Sequence, residues 1–537
     1  MYRGLCDVQN VSLPPVSVSH DDPVGETMAE QSHDADASLS EVVDGLREAS
    51  AGEPADVAAR VALIRSLRHA IVKRLEPVLA AVMRDAGKVR TEALLTDVLP
   101  TLEQLRHYER EAPKALRSEH RKGSLLFLGG TARVEYMPYG IVLVIAPWNN
   151  PFQLAMVPAA SALLGGNAVV IKPSERTSRV AAELRACFEQ AGIGTSLVRV
   201  VEGGPEVVQG LVAGRPDLVF FTGGTAGGQA VLHLAADHLI PAVLELGGKD
   251  PMVVFADADL RRAARAAVYG AFAHDGQHCI SVERLYVEAP AYDQLASDVA
   301  AGAMQLARGR DISDRLPAPT SERVQRQIAS SLKAGARLLT TCPNGVPALP
   351  AVLADVRHDM PIMRQECFGP VVAVVPFRDE AEAVALANDS EFGLNASLWT
   401  GDRSRARRVA SQLQSGCVCI NDVLINAGHP SLPFGGVKRS GLGRYHGSEG
   451  LLAFVQPKAL FERRRPAPEE IHWFPYDDGL TQMTEDLIRL RYGRSNGLLG
   501  WLRGWRLLRQ QRVARLRRVR ADRSQGSSHG DWRQGLS

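Results

Sequence analysis

Between Gly140 and Leu246 the chain repeats one unit: a short run of Val, Ile, Leu or Phe, then a longer segment with helical spacing. The runs Ile141 to Ala146, Ala168 to Lys172, Leu197 to Val201, Leu218 to Thr222 and Ala242 to Leu246 are predicted strands. Between them, Phe152 to Leu164, Arg179 to Ala191, Val207 to Ala213 and Gly228 to Ala236 are predicted helices. Strands that are apolar at consecutive positions are buried on both faces, which calls for helices above and below a parallel sheet. The pattern therefore predicts an α/β fold. Ligands on such a sheet sit beyond the carboxyl ends of the strands. Trp148 and Asn149, Lys172 and Glu175, and Gly223 and Gly224 all fall at those ends.

A second αβ series begins near Asp250, with strands at Met252 to Phe255, Val371 to Val375, Ala396 to Trp399 and Gly416 to Asn421, and helices from Leu260 and from Glu380 to Asn388. Ahead of both series, Val61, Ile64, Leu67, Ile71, Leu75, Leu79 and Val82 recur at helical spacing and predict helices with one buried stripe. Gly123 to Tyr139 reads as a hairpin, with strands at Leu125 to Leu128 and Ala132 to Tyr136 and a turn at Gly129-Gly130. Residues 1–38 lack an apolar signal-peptide core and read as a disordered leader. From Arg489 to Arg523 about a dozen arginines face a single acid, Asp522. There Leu498, Trp501, Leu502, Trp505, Leu508, Val513, Leu516 and Val519 share one helical face, a basic amphipathic pattern that suits an anionic membrane surface.

Composition excludes several classes. A net charge of +2 with no basic, aromatic-studded stripe in the main body gives no nucleic-acid interface. No apolar run approaches the roughly 18 residues that span a bilayer. Seven scattered cysteines predict a reducing, cytoplasmic setting without a disulfide framework. Cys417-Val418-Cys419 has no second ligand cluster at metal-binding spacing, so no metal site is expected.

One cysteine differs in its company. Cys279 follows Gly276-Gln277 on a short polar segment between a small-residue helical run and a β-rich run, and a glutamate stands on another Gly-rich stretch, Leu244-Glu245-Leu246-Gly247-Gly248-Lys249. A thiol attacks a carbonyl only as thiolate, so such a cysteine needs a nearby base or a lowered pKa.

Gly276-Gln277-x-Cys279 and Leu244 to Lys249 with Pro251 resemble the two active-site signatures of the NAD(P)-dependent aldehyde dehydrogenase superfamily. So do Pro147-Trp148-Asn149-x-Pro151, Lys172-Pro173-Ser174-Glu175, Phe221-Thr222-Gly223-Gly224-Thr225, Glu366-x-Phe368-Gly369-Pro370 and Pro433-Phe434-Gly435-Gly436, in the family's order. The resemblance runs from about Leu39 to Lys458 and is strongest to the class 3, fatty- and aromatic-aldehyde branch. It implies a Rossmann-type NAD-binding domain (39–122 and 141–246), an α/β catalytic domain (247–429) and a β bridging element for oligomerisation (123–140 and 430–458). A basic extension (459–537) follows.

By the same resemblance Cys279 is the nucleophile, Glu245 the general base and Asn149 an oxyanion donor with the Cys279 backbone N–H. Trp148, Lys172, Glu175, Gly223, Gly224, Gly228, Glu366 and Phe368 are the cofactor contacts. The family usually carries Ser or Asn where Gly224 stands. Glu175 favours NAD over NADP, because a carboxylate accepts from the ribose 2′-OH and repels a 2′-phosphate; NADP stays open as the alternative.

The expected substrate is an apolar aldehyde, since Leu424 to Gly428 offers no arginine for a substrate carboxylate, although Asn150 replaces the aromatic residue common in that branch. A homodimer or homotetramer is expected, with peripheral attachment to the inner membrane surface through the tail. CoA-acylating and semialdehyde dehydrogenases, and a non-catalytic membrane scaffold on the same fold, are the rival readings.

Overall fold

A computed structural model of the chain describes residues 39–123, 130–314, 316–340, 349–463, 470, 472–474 and 476–493, with single positions at 506, 509, 510 and 513. The leader, the predicted strand Leu125 to Leu128 and the basic amphipathic helix at 498–519 lie outside these, the four single positions apart.

The described residues up to Leu116 and from Met137 to Gln456 form one compact unit. It holds two sheets. The first contains β3 (Ile141–Ile145), β4 (Ala168–Lys172), β5 (Val198–Val200), β6 (Leu218–Thr222) and β7 (Ala242–Glu245), all parallel in the order β7-β6-β3-β4-β5. All five predicted strands are present, each within a residue of the expected limits. The second sheet has seven strands. β8 (Asp250–Val254), β9 (Val282–Glu288), β11 (Ala351–Ala354), β12 (Val371–Phe377), β13 (Asn395–Trp399) and β14 (Cys417–Ile420) run parallel, and β10 (Arg337–Leu338) closes one edge antiparallel.

Alternate side chains of the second sheet enter separate cores, which is why its central strands are apolar at most consecutive positions. Val371, Ala373 and Val375 of β12 join Val253 and Tyr286 on one face, whereas Val372 and Val374 join Met252 and Leu285 on the other. Ile141, Leu143 and Ile145 of β3 pack with Val219, Phe221 and Leu244 beneath the first sheet. The helix Gln153–Gly165 is buried along almost its whole circumference, consistent with its lack of a polar face.

One boundary differs from expectation. The segment 430–458 was predicted to join the bridging hairpin, yet β15 (Gly441–Leu442) pairs antiparallel with β7 and becomes the sixth strand of the first sheet. The reason is local. Gly441 has φ 152°, and a Cβ there would lie 2.3 Å from Leu244 O. Only glycine lets the backbones approach so closely.

A second unit comprises Arg117–Tyr136 and the described residues from Pro457 onward. Its sheet has the order β1-β2-β16, with β1 (Glu119–Arg121) antiparallel to β2 (Gly130–Pro138) and Glu119 opposite Val134; β16 is Val455–Arg463. β1 lies ahead of the predicted strand Leu125 to Leu128, which is outside the described residues. The helix Asp478–Tyr492 is N-capped by the Asp477 side chain and carries acids and bases in mixture, so the extension is not uniformly basic.

Candidate active site

Glu245 is the last residue of β7, and the chain crosses from the first sheet to the second between Glu245 and Asp250. Both carboxylate oxygens are buried with no protein hydrogen-bond partner. Burial drives the carboxyl well above the ordinary range, and the opposing pull of Arg444 is weaker. An orphaned buried carboxyl is costly unless water or substrate completes it, which marks a working group rather than a structural one.

Cys279 is delivered by a break in the backbone. After the helix Leu260–Phe272, His274 and Asp275 adopt φ values of 52° and 53° and Gly276 one of 68°. His274 N donates to Glu92 Oε1 at 2.6 Å, and Arg308 holds Asp275 at 3.2 Å, so the turn is pinned from two sides. A Cβ on Gly276 would lie 2.4 Å from Gly369 O. Burial pushes the Cys279 thiol up, and the charges of Asp250, Glu245 and Glu366 add to it. The resting group is therefore a thiol that needs a base.

Asn149, just beyond β3, donates from Nδ2 to Gln277 O at 2.9 Å, and its neighbour Asn150 joins Nδ2 to His278 Nδ1 at 3.2 Å. Two consecutive asparagines thus clasp the two residues before Cys279. Sequence reasoning saw Asn150 only as a departure from an aromatic residue and missed its anchor. Asn150 Oδ1 accepts from Lys88, which also donates to Asp97 Oδ2 at 2.5 Å and Thr96 Oγ1 at 2.7 Å. Lys88 and Asp97 are fully buried. Because Lys88 fixes the amide with Oδ1 toward itself, Nδ2 faces the imidazole and His278 Nδ1 accepts, leaving the proton on Nε2. Burial, then the Lys88 charge, push His278 down to about 3, so it stays neutral. Asp97 Oδ1 in turn accepts from Phe152 N at 3.1 Å, at the start of the buried helix. Asp97 lies on a π-helical turn, Leu94–Val98, a distortion frequent near functional sites.

Two cavities meet at Cys279. The larger, of about 530 Å³, is lined by Trp148, Asn149, Glu245, Glu366 and Phe368 near the thiol, and by Gly223, Gly224, Lys172 and Glu175 farther along. Lys172 is buried and pairs with half-exposed Glu175 at 3.5 Å. The helix Thr225–Asp237 points its N-terminus into this cavity without a side-chain cap, and nothing lies within 4 Å of where a Cβ on Gly224 would be. Uncapped N–H groups with open space before them fit a pyrophosphate.

Gly228 is a correction: it does not line the cavity, whereas Gly227 does. Its N–H donates to Gly224 O, and a Cβ would meet Leu246 at 2.4 Å, so this glycine serves helix packing. Arg176 stacks 3.8 Å over the Trp148 ring, whose edge meets Phe368 with centroids 5.8 Å apart.

Glu366 is pushed up to about 7 by burial and by Glu283, and its Oε1 accepts from Gly248 N at 3.3 Å. Its segment is held by a residue the sequence reading left without a role. Glu283 accepts from Cys367 N at 2.9 Å and Phe368 N at 2.9 Å and pairs with buried Lys249. The available signal was a charged pair, Glu283-Arg284, inside an otherwise apolar strand.

The smaller cavity, of about 270 Å³, is lined by Leu95, Tyr269, Val423, Ile425 and Phe434, with Thr96, Asn150, Gln153, His278 and Asp422 among its polar members. No Lys or Arg lines it. The thiol thus stands between a nucleotide-shaped space and an apolar one.

The model of the aldehyde dehydrogenase family matches residues 10–460. A 4,4′-diapolycopene aldehyde oxidase of Methylomonas sp is 44% identical over 451 residues, covering 82% of this chain and 84% of that protein. A Mycolicibacterium smegmatis relative named for succinate semialdehyde and NADP+ is 34% identical over 420 residues, covering 76% and 81%. Among solved structures, the Mycobacterium tuberculosis aldehyde dehydrogenase complexed with NAD+ superposes with a TM-score of 0.75 at 30% identity, covering 80% of this chain and 92% of that one.

Proposed function

Because this chain belongs to the aldehyde dehydrogenase family and is an oxidoreductase of aldehydes, we propose that it oxidises an apolar aldehyde to the free carboxylic acid with NAD, through a thioester on Cys279. The observation that carries the reading is the meeting of two unlike cavities at one thiol, with an unpartnered buried glutamate in the wall of the larger.

Glu245 takes the thiol proton directly or through water, since burial raises both groups and both line the larger cavity. The sulfur adds to the carbonyl carbon, and the resulting oxyanion is met by the second hydrogen of Asn149 Nδ2 and by the Cys279 backbone N–H. The first Nδ2 hydrogen stays on Gln277 O, which keeps the amide from turning away. NAD, when bound, accepts the hydride that leaves the tetrahedral carbon. Lys172 and Glu175 would hold its adenine ribose, the N-terminus at Thr225 its pyrophosphate, and Glu366 its nicotinamide ribose. Glu245 then releases that first proton to solvent, so that water adding to the thioester carbonyl passes its own proton to the freed carboxylate, and the tetrahedral adduct expels the Cys279 thiolate and frees the acid.

The acid product follows from Glu245, a group that transfer to coenzyme A does not require. The apolar substrate is supported by a cavity without a cation for a second carboxylate and by the Methylomonas relative named for 4,4′-diapolycopene aldehyde. The half-exposed Glu175 carboxylate supports NAD over NADP. We also propose self-association through the second unit, where Phe461, Phe474, Tyr476 and Tyr492 are exposed, and a cytoplasmic setting, in keeping with five free cysteines among the described residues. No described helix is long and apolar enough to cross a membrane.

The test is NAD reduction by parent protein and Cys279→Ala across aliphatic and aromatic aldehydes and succinate semialdehyde, with and without coenzyme A. We expect apolar aldehydes to give the highest kcat/KM, no dependence on coenzyme A, and near-complete loss in the variant. Highest kcat/KM for succinate semialdehyde overturns the substrate class; a requirement for coenzyme A overturns the product.

A further inference from the structure

Large apolar side chains ring the mouth of the smaller cavity, where burial would be expected if water were the only thing outside. Leu95 is 50% exposed, Tyr269 49% and Ile425 64%, and all three line that cavity. Leu99, 49% exposed, stands one helical turn beyond Leu95. Single exposed leucines are ordinary, but four large apolar groups from three separate chain segments around one opening are a patch.

The charge beside the patch has one sign on the nearest helix. Leu260–Phe272 carries Arg261, Arg262 and Arg265 as exposed residues, with Tyr269 one turn beyond Arg265. Arg262 reaches Asn421 O at 3.3 Å and Asp422 Oδ2 at 3.5 Å, and Asp422 lines the cavity, which fixes this arginine at the rim. Arg261 and Arg265 make no hydrogen bond or ion pair among the described residues, so their charge faces outward. Apolar groups beside uncommitted arginines match an anionic bilayer, where the former enter the headgroup boundary and the latter meet lipid phosphates.

We propose that this collar is a lipid-docking surface: the protein seats the mouth of its aldehyde cavity on an anionic membrane, so that a membrane-dissolved, long-chain aldehyde reaches Cys279 without crossing water. The inference rests on the apolar-aldehyde reading above and adds to it where the substrate is taken from. It is separate from the basic C-terminal segment, since every residue invoked lies between Leu95 and Ile425. A cavity that ends in apolar side chains rather than a polar rim extends the hydrophobic path past the protein surface, and the arginines orient the mouth toward the lipid.

The test uses the full chain and a triple variant, Leu99→Asp with Arg261→Glu and Arg265→Glu, none of which lines either cavity. Turnover is measured with benzaldehyde in buffer, hexadecanal in detergent, and hexadecanal embedded in vesicles of mixed phosphatidylcholine and phosphatidylglycerol. We expect the variant to keep parent-like rates in the first two assays and to lose about tenfold or more with vesicles, the scale set by losing one interfacial leucine and reversing two charges. Added salt should weaken vesicle turnover of the parent protein toward that of the variant.

Equal vesicle turnover by parent and variant overturns the docking surface, including the case in which the C-terminal segment alone holds the protein on lipid. Parent-specific crosslinks joining Leu99 regions of two copies, with no vesicle effect, overturn it in favour of a subunit interface. Failure of the parent with hexadecanal in detergent is a different result, because it strikes the apolar-aldehyde reading itself.

Discussion

Glu245 and Cys279 share one electrostatic problem, and its solution is visible in their surroundings. Each is pushed toward its neutral form by burial, and each one's charge disfavours the other's. Deacylation needs Glu245 ionised, so the rate of that step should rise with pH through the raised carboxyl pKa. In Glu245→Gln it should fall about a hundred- to ten-thousand-fold and lose that acid limb, as pH-resolved single-turnover kinetics will show. Stability carries the same signature with a definite sign. The folded pKa lies above the ordinary 4.5, so the group's favourable contribution is complete below that value and is lost as pH rises through the folded pKa. Gln stays neutral throughout, so the Tm advantage of Glu245→Gln over the parent should grow with pH across that window.

Lys88 offers a second check at the same scale. Lys88→Met leaves Asp97 buried and uncompensated and frees the Asn150 amide, which should cost about 3–5 kcal/mol in urea unfolding. The proposed nucleophile Cys279, the proposed base Glu245 and Asn149 stand out in the sequence because short motifs surround them. Lys88 was not, because a lysine between helices reads as surface until the fold closes over it.

At the scale of elements, strands apolar on both faces revealed the first sheet almost to the residue and most of the second, whereas β10 and β11 were not foreseen. The two-residue strand β15 left no such trace. A strand of two residues has no periodicity to read, and its partner, β7, lies some two hundred residues earlier. Yet β15 pairs Gly441 with Glu245 and so fixes the backbone from which the base projects. Gly441→Ala places a Cβ against Leu244 O in a backbone conformation that suits only glycine. We expect a loss of about 1–3 kcal/mol in urea unfolding and a lower kcat with little change in nucleotide KM. A change confined to stability would remove β15 from the positioning of Glu245. The clasp of Glu283 on the Cys367–Phe368 backbone was equally hidden, because its partners lie more than eighty residues apart.

For the molecule as a whole, the division of labour comes from where the chain changes sheets. β7 ends the first sheet at Glu245 and β8 opens the second at Asp250, while Asn149 follows β3 and Cys279 precedes β9, so the site lies where strand ends of both sheets converge. The family resemblance was readable from motif order alone, whereas the character of the aldehyde cavity was not, since its lining comes from six stretches between Leu95 and Tyr445. The proposed mechanism turns on one event, the formation of an acyl bond on a single sulfur. It can be seen directly by mixing Glu245→Gln with NAD and an apolar aldehyde, without coenzyme A, then quenching, digesting and weighing the peptides. We expect one equivalent of reduced nicotinamide per chain, accumulating more slowly than in the parent because the thiol has lost its base, and the acyl mass on the peptide bearing Cys279. Reduced nicotinamide with that peptide unmodified, or with the acyl group on another residue, would contradict the account.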